Sequence, residues 1–446
     1  MQQLYERIFY SKKVAELYTA EAMINYLLRF ESALATAQAK QSIVPDTVAA
    51  VIDQCCRVEY INKEQLINEA ALGGNVAIPL VKQLTAVVAK KDAEAAKYIH
   101  FGATSQDVID TALMLQTRDA FRLILEELRQ LNKQLVSLIE EHRETVMVGR
   151  TFLQQARPIT FGFKVAGWLA PLLRSQKEID RLLKEGFVLQ LGGAVGTLAS
   201  MPEKGLQVSV AMSQILQLTN PEKSWHTERD GVVRVATTLG VLTGNIGKIA
   251  KDISLLMQTE VAEVLEPSIE GKGVSSAMPH KRNPVGCITI LANAARVPGL
   301  VSTMLSCMTQ DQERATGLWH AEWETLASIV QLTAGCVNKV VEITSGLEVR
   351  KEQMLHNLEL TKGLIYAENV SFALAEKLGK AKAHEVVEQY SKEANSKKLH
   401  LKELLLSKEE ITGHLNVFQV EELFDPTRSV GLCRVFIKNV LAAVDN

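Results

Sequence analysis

The chain has 446 residues, 47% of them hydrophobic, 22% charged and only 5% aromatic, and 49 basic against 51 acidic side chains leave a net charge of −2. This composition excludes bulk disorder, and the near balance of charge argues against a broad nucleic-acid or membrane-surface role. With so few aromatics and only 11 prolines, the chain is poor material for a β-sandwich or barrel and well suited to long helices.

At the N-terminus, MQQLYERIFY has no basic patch followed by an apolar run, so no signal peptide is expected. Residues 14–41 read as a helix, and Pro45 punctuates it. Cys55 and Cys56 are adjacent, and with Cys287, Cys307, Cys336 and Cys433 they form no CxxC or zinc spacing, so free buried thiols are expected. Residues 1–107 form the first predicted domain, a small helical unit. At its end lies HFGATSQDVIDTA, His100–Ala112. Thr104, Ser105 and Gln106 sit at a helix N-terminus, where backbone N–H groups and the helix dipole favour an anion. Plain N-capping by Thr104, Ser105 or Asp107 is the simpler alternative.

The second predicted domain, residues 108–345, is a bundle of about five long helices. Phe121, Ile124, Leu128, Leu131, Leu135 and Leu138 alternate at three and four residues, the seam of a bundle helix. GRTFLQQARPITFG, Gly149–Gly162, places Arg150, Thr151 and Gln154 before a helix over 160–184. A glycine-rich stretch, LGGAVG, follows at Leu191–Gly196. WHTERD, Trp225–Asp230, offers His226 and Arg229 as carboxylate ligands or as capping and packing groups. It opens a second seam, from Val232 through Val235, Leu239, Leu242, Ile246, Ile249 and Ile253 to Leu256. This helix is predicted to stop before Pro267 and to span more than about 50 Å. Gly231, Gly240, Gly244 and Gly247 each cost it about 1 kcal/mol, tolerable where a neighbouring helix packs very close.

The loop GKGVSSAMPHKRNPVG, Gly271–Gly286, holds Ser275, Ser276, His280, Lys281 and Asn283 between glycines and prolines. Hydroxyls, a compact cation and an amide are the inventory for holding a carboxylate and stabilising an anion beside it; the alternative is a basic surface loop. Helices follow at 286–307 and 319–345. QERATGLWHAEWETL, Gln312–Leu326, reads as bundle packing with polar anchors. The third predicted domain, 346–446, is helical and richer in Lys and Glu. No run of about 18 apolar residues appears, so no membrane span is expected. P-loop, GxGxxG, HExxH and GxSxG patterns are all absent, and neither a cofactor nor a metal is implied.

SSAMPHKRNP resembles the GSSxMPxKxNP signature of the fumarase/aspartase superfamily, which includes adenylosuccinate and argininosuccinate lyases. TSQDVIDTA, GRTFLQQARPITFG and GGAVGT resemble other regions of that superfamily, in its order. The central part matches most clearly, and within the superfamily the likeness is to the bacterial lactone-forming cycloisomerases. The resemblance implies an all-α subunit of three helical domains, a homotetramer with a twenty-helix core and active sites shared between subunits. It also implies a cytoplasmic enzyme without a cofactor that acts on a small tricarboxylate. Ser275 then matches the superfamily's catalytic serine, with Ser276 an alternative, and Lys281 would stabilise the developing anion. Thr104, Ser105, Gln106, Arg150, Thr151, Gln154, His226, Arg229 and Asn283 would hold the substrate, with the roles of His100 and His280 open.

The departures carry chemistry. GRTHxQ is usual where this chain has Phe152, and a glutamate is usual where it has Ile288, so a His–Glu pair linked to proton transfer is missing as a pair. The signature's first glycine is Val274, and the first-domain histidine motif is represented by Gly74–Asn75. A lyase expelling hydroxide, amine or guanidine needs a general acid. A lactonising enzyme taken in reverse expels a carboxylate, whose pKa near 4 lets it leave as an anion. The residues therefore favour cycloisomerisation over the alternatives, a fumarate-releasing lyase and an inactive structural helical protein.

Overall fold

The computed structural model describes residues 2–268, 273, 278 and 281–444. Among them are nineteen α-helices and two small two-stranded antiparallel sheets. Five long helices run over Ser105–Glu141, Phe161–Arg181, Asp230–Leu256, Val285–Ser306 and Leu318–Thr344. The two seams explain them. Phe121, Ile124, Leu128, Leu131 and Leu135 are almost fully buried, as is every member of the Val232–Leu256 series. Apolar stripes at 3.5-residue spacing form these helices because burying them outweighs the modest propensity of the glycines and β-branched residues between.

The chain forms two compact units, each assembled from separate stretches of sequence. One comprises Met1–Arg129, Ser175–Gly247 and Thr289–Lys339, and the other Gln130–Arg174, Lys248–Ile288 and Val340–Asn446. The boundaries fall inside the long helices. In the first unit, Thr19 caps the helix Ala20–Lys40 by accepting the Ala22 N–H, which splits the predicted 14–41 helix in two. In the second, Tyr366, Val370, Leu374, Leu401, Leu405 and Ile411 lie in one buried cluster of the C-terminal helices.

Two expectations need correction. The helix Asp230–Leu256 is 27 residues long, about 40 Å rather than 50, because its apolar seam ends at Leu256 and the chain turns through a left-handed residue, Ala262, at φ 49°. Of its four glycines, Gly240 and Gly247 do meet neighbours closely: a methyl added there would lie 3.0 Å from Val301 Cγ2 or Ala294 Cβ. Gly231 and Gly244 face open space in the subunit. Secondly, GRTFLQQARPIT is a β-hairpin, with strands Val146–Thr151 and Gln154–Thr160. Two helices, Val285–Ser306 and Leu318–Thr344, are long and apolar enough to cross a membrane by length and composition, with mean hydropathy 1.4 and 1.3, a test that the core helix of a globular protein also passes; 67% of the apolar window of Leu318–Thr344 is buried within the fold.

Candidate active site

In the first unit, polar groups converge on the N-terminus of Ser105–Glu141. The turn before it is held from two sides. His100, at φ 58°, places Nδ1 2.6 Å from the carboxylate of buried Glu31, and Gln38 donates to the Phe101 carbonyl at 2.7 Å. Burial opposes charge on His100, but Glu31 through its charge and hydrogen bond, with Asp107 adding to it, keeps its pKa above the ordinary histidine value. Asp107 then gathers the site. Its carboxylate accepts N–H bonds from Thr104 at 2.9 Å, Gly192 at 3.0 Å and Gly193 at 2.9 Å. It also lies 2.7 Å from His226 Nε2. An acid in the first helical turn is favoured by the dipole, and Gly193 reaches it in a φ +72° conformation that a side chain would strain. His226 is 3% exposed, and its Nδ1 has no hydrogen-bond partner among the described residues.

One turn further along, Asp110 meets Arg229. The guanidinium binds both oxygens of Asp110, at 2.8 and 3.1 Å, and both oxygens of Glu322, at 2.5 to 3.1 Å. All three side chains are fully buried. Trp319 Nε1 donates to Asp110 at 2.9 Å, Gln310 to Glu322 at 2.9 Å, and the Trp225 ring lies against the guanidinium. Burial works against the charge on Arg229, but the two acids outweigh it and raise its pKa. Burial raises Glu322 above the usual carboxylate range, with Arg229 opposing. Two carboxylates engage Arg229, which has no solvent access, and the trio ties together the N-terminal ends of three helices. Gln106 is likewise buried and occupied, donating to Asp110 and to the His226 carbonyl.

In the second unit, the hairpin carries Arg150, Thr151 and Gln154. Arg150 forms a bidentate pair with buried Glu263, at 2.9 and 2.7 Å, and Asn357 donates to the same carboxylate at 2.8 Å. Thr151 and Gln154 are exposed. The turn between the strands is Phe152–Leu153, at φ 49° and 63°, 99% and 77% exposed. The end of the 271–286 loop is anchored by Glu266, which accepts the N–H groups of Gly286 and Cys287 at 3.0 and 2.8 Å. That carboxylate caps the helix Val285–Ser306. Arg282 is occupied by Glu348 and the Glu266 carbonyl. Lys281 is exposed and makes no ion pair with a described residue. Asn283 bonds to the Gly273 carbonyl. Ser275, Ser276 and His280 lie outside the described residues.

Thr104, Ser105, Gln106, His226 and Arg229 thus come together in one unit, and Arg150, Thr151, Gln154, Lys281 and Asn283 belong to the other. The sequence reading had Asp107 only as an N-capping candidate and missed Asp110, Glu322, Arg314, Glu263 and Glu266. A usable signal existed for Asp107 and Asp110: acids three apart at a helix start, facing an arginine that could be buried only with partners. All six cysteines are buried and none forms a disulfide, and burial pushes Cys56 and Cys336 well above the ordinary thiol value, Cys336 to about 12.

The chain matches the family model described as Lyase over residues 7–299, and that described as Adenylosuccinate lyase C-terminus over 363–440. It is 44% identical over 433 residues to the 3-carboxy-cis,cis-muconate cycloisomerase of Acinetobacter baylyi, covering 97% of this chain and 96% of that one. To the protein of the same name from Pseudomonas aeruginosa it is 43% identical over 440 residues, covering 99% and 96%. The crystal structure of the 3-carboxy-cis,cis-muconate lactonizing enzyme from Pseudomonas putida aligns with a TM-score of 0.94 at 42% identity, covering 99% of both chains.

Proposed function

The chain belongs to the fumarase/aspartase superfamily of lyases, and from that premise we propose that it lactonises 3-carboxy-cis,cis-muconate to 4-carboxymuconolactone in protocatechuate breakdown. The observation that carries this is identity above 40% across almost the whole chain to cycloisomerases. The two positions where the superfamily's His–Glu pair is missing support it. They hold exposed apolar side chains, Phe152 and Ile288, which can neither donate nor accept a proton. A β-elimination needing a general acid is poorly served by them, whereas an intramolecular carboxylate addition needs none at the attacking oxygen.

In this mechanism one substrate carboxylate oxygen bonds to an alkene carbon of the conjugated diene. The displaced electron pair moves onto the carboxylate attached to the neighbouring carbon as an aci-carboxylate. Lys281 and Asn283 stabilise that charge. Ser275 delivers a proton to carbon, completing the lactone, and removes it in the reverse direction. Thr104 and Ser105 at the helix end, Arg150, Thr151, Gln154 and the His226 imidazole shape the carboxylate subsites. Gln106 and Arg229 fix that framework from beneath.

The working form is a cytoplasmic homotetramer whose sites draw these residues from several subunits, and the three-domain division at residues 107 and 345 describes each subunit's helical groups. Support comes from the helix Val285–Ser306, of whose most apolar 18-residue window only 33% is buried. Ile288, Leu291, Ala295, Pro298, Ser302 and Leu305 form a small-and-apolar stripe spaced three and four, the pattern of a helix that packs on another.

The test is loss of diene absorbance on 3-carboxy-cis,cis-muconate, run beside Ser275→Ala. Rapid loss in the wild type with a fall of about 100-fold or more in the variant supports substrate and serine together. Equal loss in both removes the serine's role. No loss in the wild type, with fumarate released from adenylosuccinate, replaces the cycloisomerase with a lyase.

A further inference from the structure

At the Thr104–Gln106 helix end, the arginine still able to receive a substrate carboxylate is not Arg229, which two buried acids already engage. We propose that Arg314, in the turn between the helices Val285–Ser306 and Leu318–Thr344, is the carboxylate-binding arginine at the Thr104–Gln106 helix end. This rests on the carboxylate-substrate reading above.

Among the described residues Arg314 holds only neutral acceptors. Its Nη1 donates to Thr104 Oγ1 at 2.7 Å, and its Nε points to Gln106 Oε1 at 3.4 Å. It makes no ion pair with a described residue, although Asp311 and Glu313 adjoin it in sequence. Asp311 instead accepts the Thr316 N–H at 3.1 Å. That bond and the left-handed residues Gln312 and Gly317 close a short, stapled turn that presents the guanidinium. The placement opposes the usual electrostatics. A helix N-terminus repels a cation, yet an unpaired, half-buried guanidinium sits on the start of a 37-residue helix. It also draws the Thr104 hydroxyl away from capping. Gln106 ties the guanidinium to the His226 segment, contacting Arg314 through Oε1 and the His226 carbonyl through Nε2. A guanidinium whose Nη2 has no partner among the described residues, set at a helix start whose dipole and N–H groups favour negative charge, lacks one thing, an anion with several acceptor oxygens. A carboxylate supplies it, and the planar fork of arginine suits it better than a lysine would.

The test pairs turnover with binding of an unreactive tricarboxylate, propane-1,2,3-tricarboxylate, measured by calorimetry on the assembled protein. Arg314→Gln is expected to weaken tricarboxylate binding and to raise KM for 3-carboxy-cis,cis-muconate by about 10- to 100-fold each. Its melting temperature should be unchanged, because no ion pair is lost. Arg314→Lys should recover part of the affinity, and guanidinium ion added to Arg314→Ala should restore part of the rate. Thr104→Val, which keeps the arginine but frees it, should give a smaller loss of the same kind. Equal tricarboxylate affinity in wild type and Arg314→Gln, or no binding to either, overturns the assignment. If wild type fails to turn over the muconate but binds the tricarboxylate through Arg314, the assignment stands and the substrate reading falls. If wild type turns over normally and Arg314→Gln matches it in KM, the assignment alone falls.

Discussion

Arg229 and His100 show how differently two buried charges behave. Asp110 and Glu322 are fully buried around Arg229, so removing the cation leaves two like charges facing each other without solvent. Arg229→Met should therefore destabilise the protein by about 3–5 kcal/mol, seen as a large drop in the thermal midpoint and loss of soluble yield. An unchanged midpoint would show that the acids rearrange to water. The His100–Glu31 pair is instead tunable. Its folded-state pKa is raised, so the stabilisation is fully present below the unfolded histidine value near 6.5. It is lost as pH rises through the folded value. The melting temperature of wild type should exceed that of His100→Gln by a few degrees at pH 6, and the gap should close toward pH 9. A gap that widens with pH would reverse the sign and reject the pairing. The Asp107–His226 contact, 119 positions apart in sequence, shows why such residues were only partly legible. Polar runs near helix starts mark where chemistry sits, but partnership across a bundle has no local pattern. Thus WHTERD was visible, while the acids that occupy its arginine were not.

At the level of elements, periodicity made the long helices readable and made the hairpin unreadable. A helix repeats its apolar positions over many turns, so two seams of six and eight residues overdetermine it. The hairpin Val146–Thr160 has a two-residue turn, normally announced by Asn-Gly or Asp-Gly because both central residues need positive φ. Here Phe152 and Leu153 occupy it. Each carries the cost of a left-handed conformation, about 1–2 kcal/mol for an L residue, and both expose large apolar side chains. Strain of this kind persists where function requires the side chain. Phe152→Asn with Leu153→Gly should raise the thermal midpoint of the protein while lowering kcat/KM for 3-carboxy-cis,cis-muconate by about tenfold or more. Calorimetry and the diene assay on the same preparation separate the two effects. Higher stability with full activity would reduce the Phe–Leu tip to a tolerated defect.

For the molecule as a whole, the exposed stripe on Val285–Ser306 poses a problem that one subunit does not solve. Ile288 and Leu305 are 55% and 50% exposed, and Val241 on Asp230–Leu256 is 63% exposed beside the open Gly244. Contiguous apolar surface on helices this long is expensive in water, about 25 cal/mol for each Å² left uncovered. Small residues within the stripe suit close approach by another helix. In a homotetramer the same surfaces would meet copies of themselves, so one substitution would be repeated at every contact. Ala295 lies on this stripe and is exposed in the subunit. Ala295→Arg should leave helical content intact, because the side chain has room in the isolated fold. It should reduce the mass measured by light scattering from that of a tetramer to that of a dimer or monomer. Because the proposed sites need residues from more than one subunit, activity should fall with assembly, and diluting the wild type should lower its specific activity at the concentration where its mass falls. A variant that remains tetrameric would move the interface to another face. A wild type that is monomeric and fully active would require each subunit to build its whole site alone.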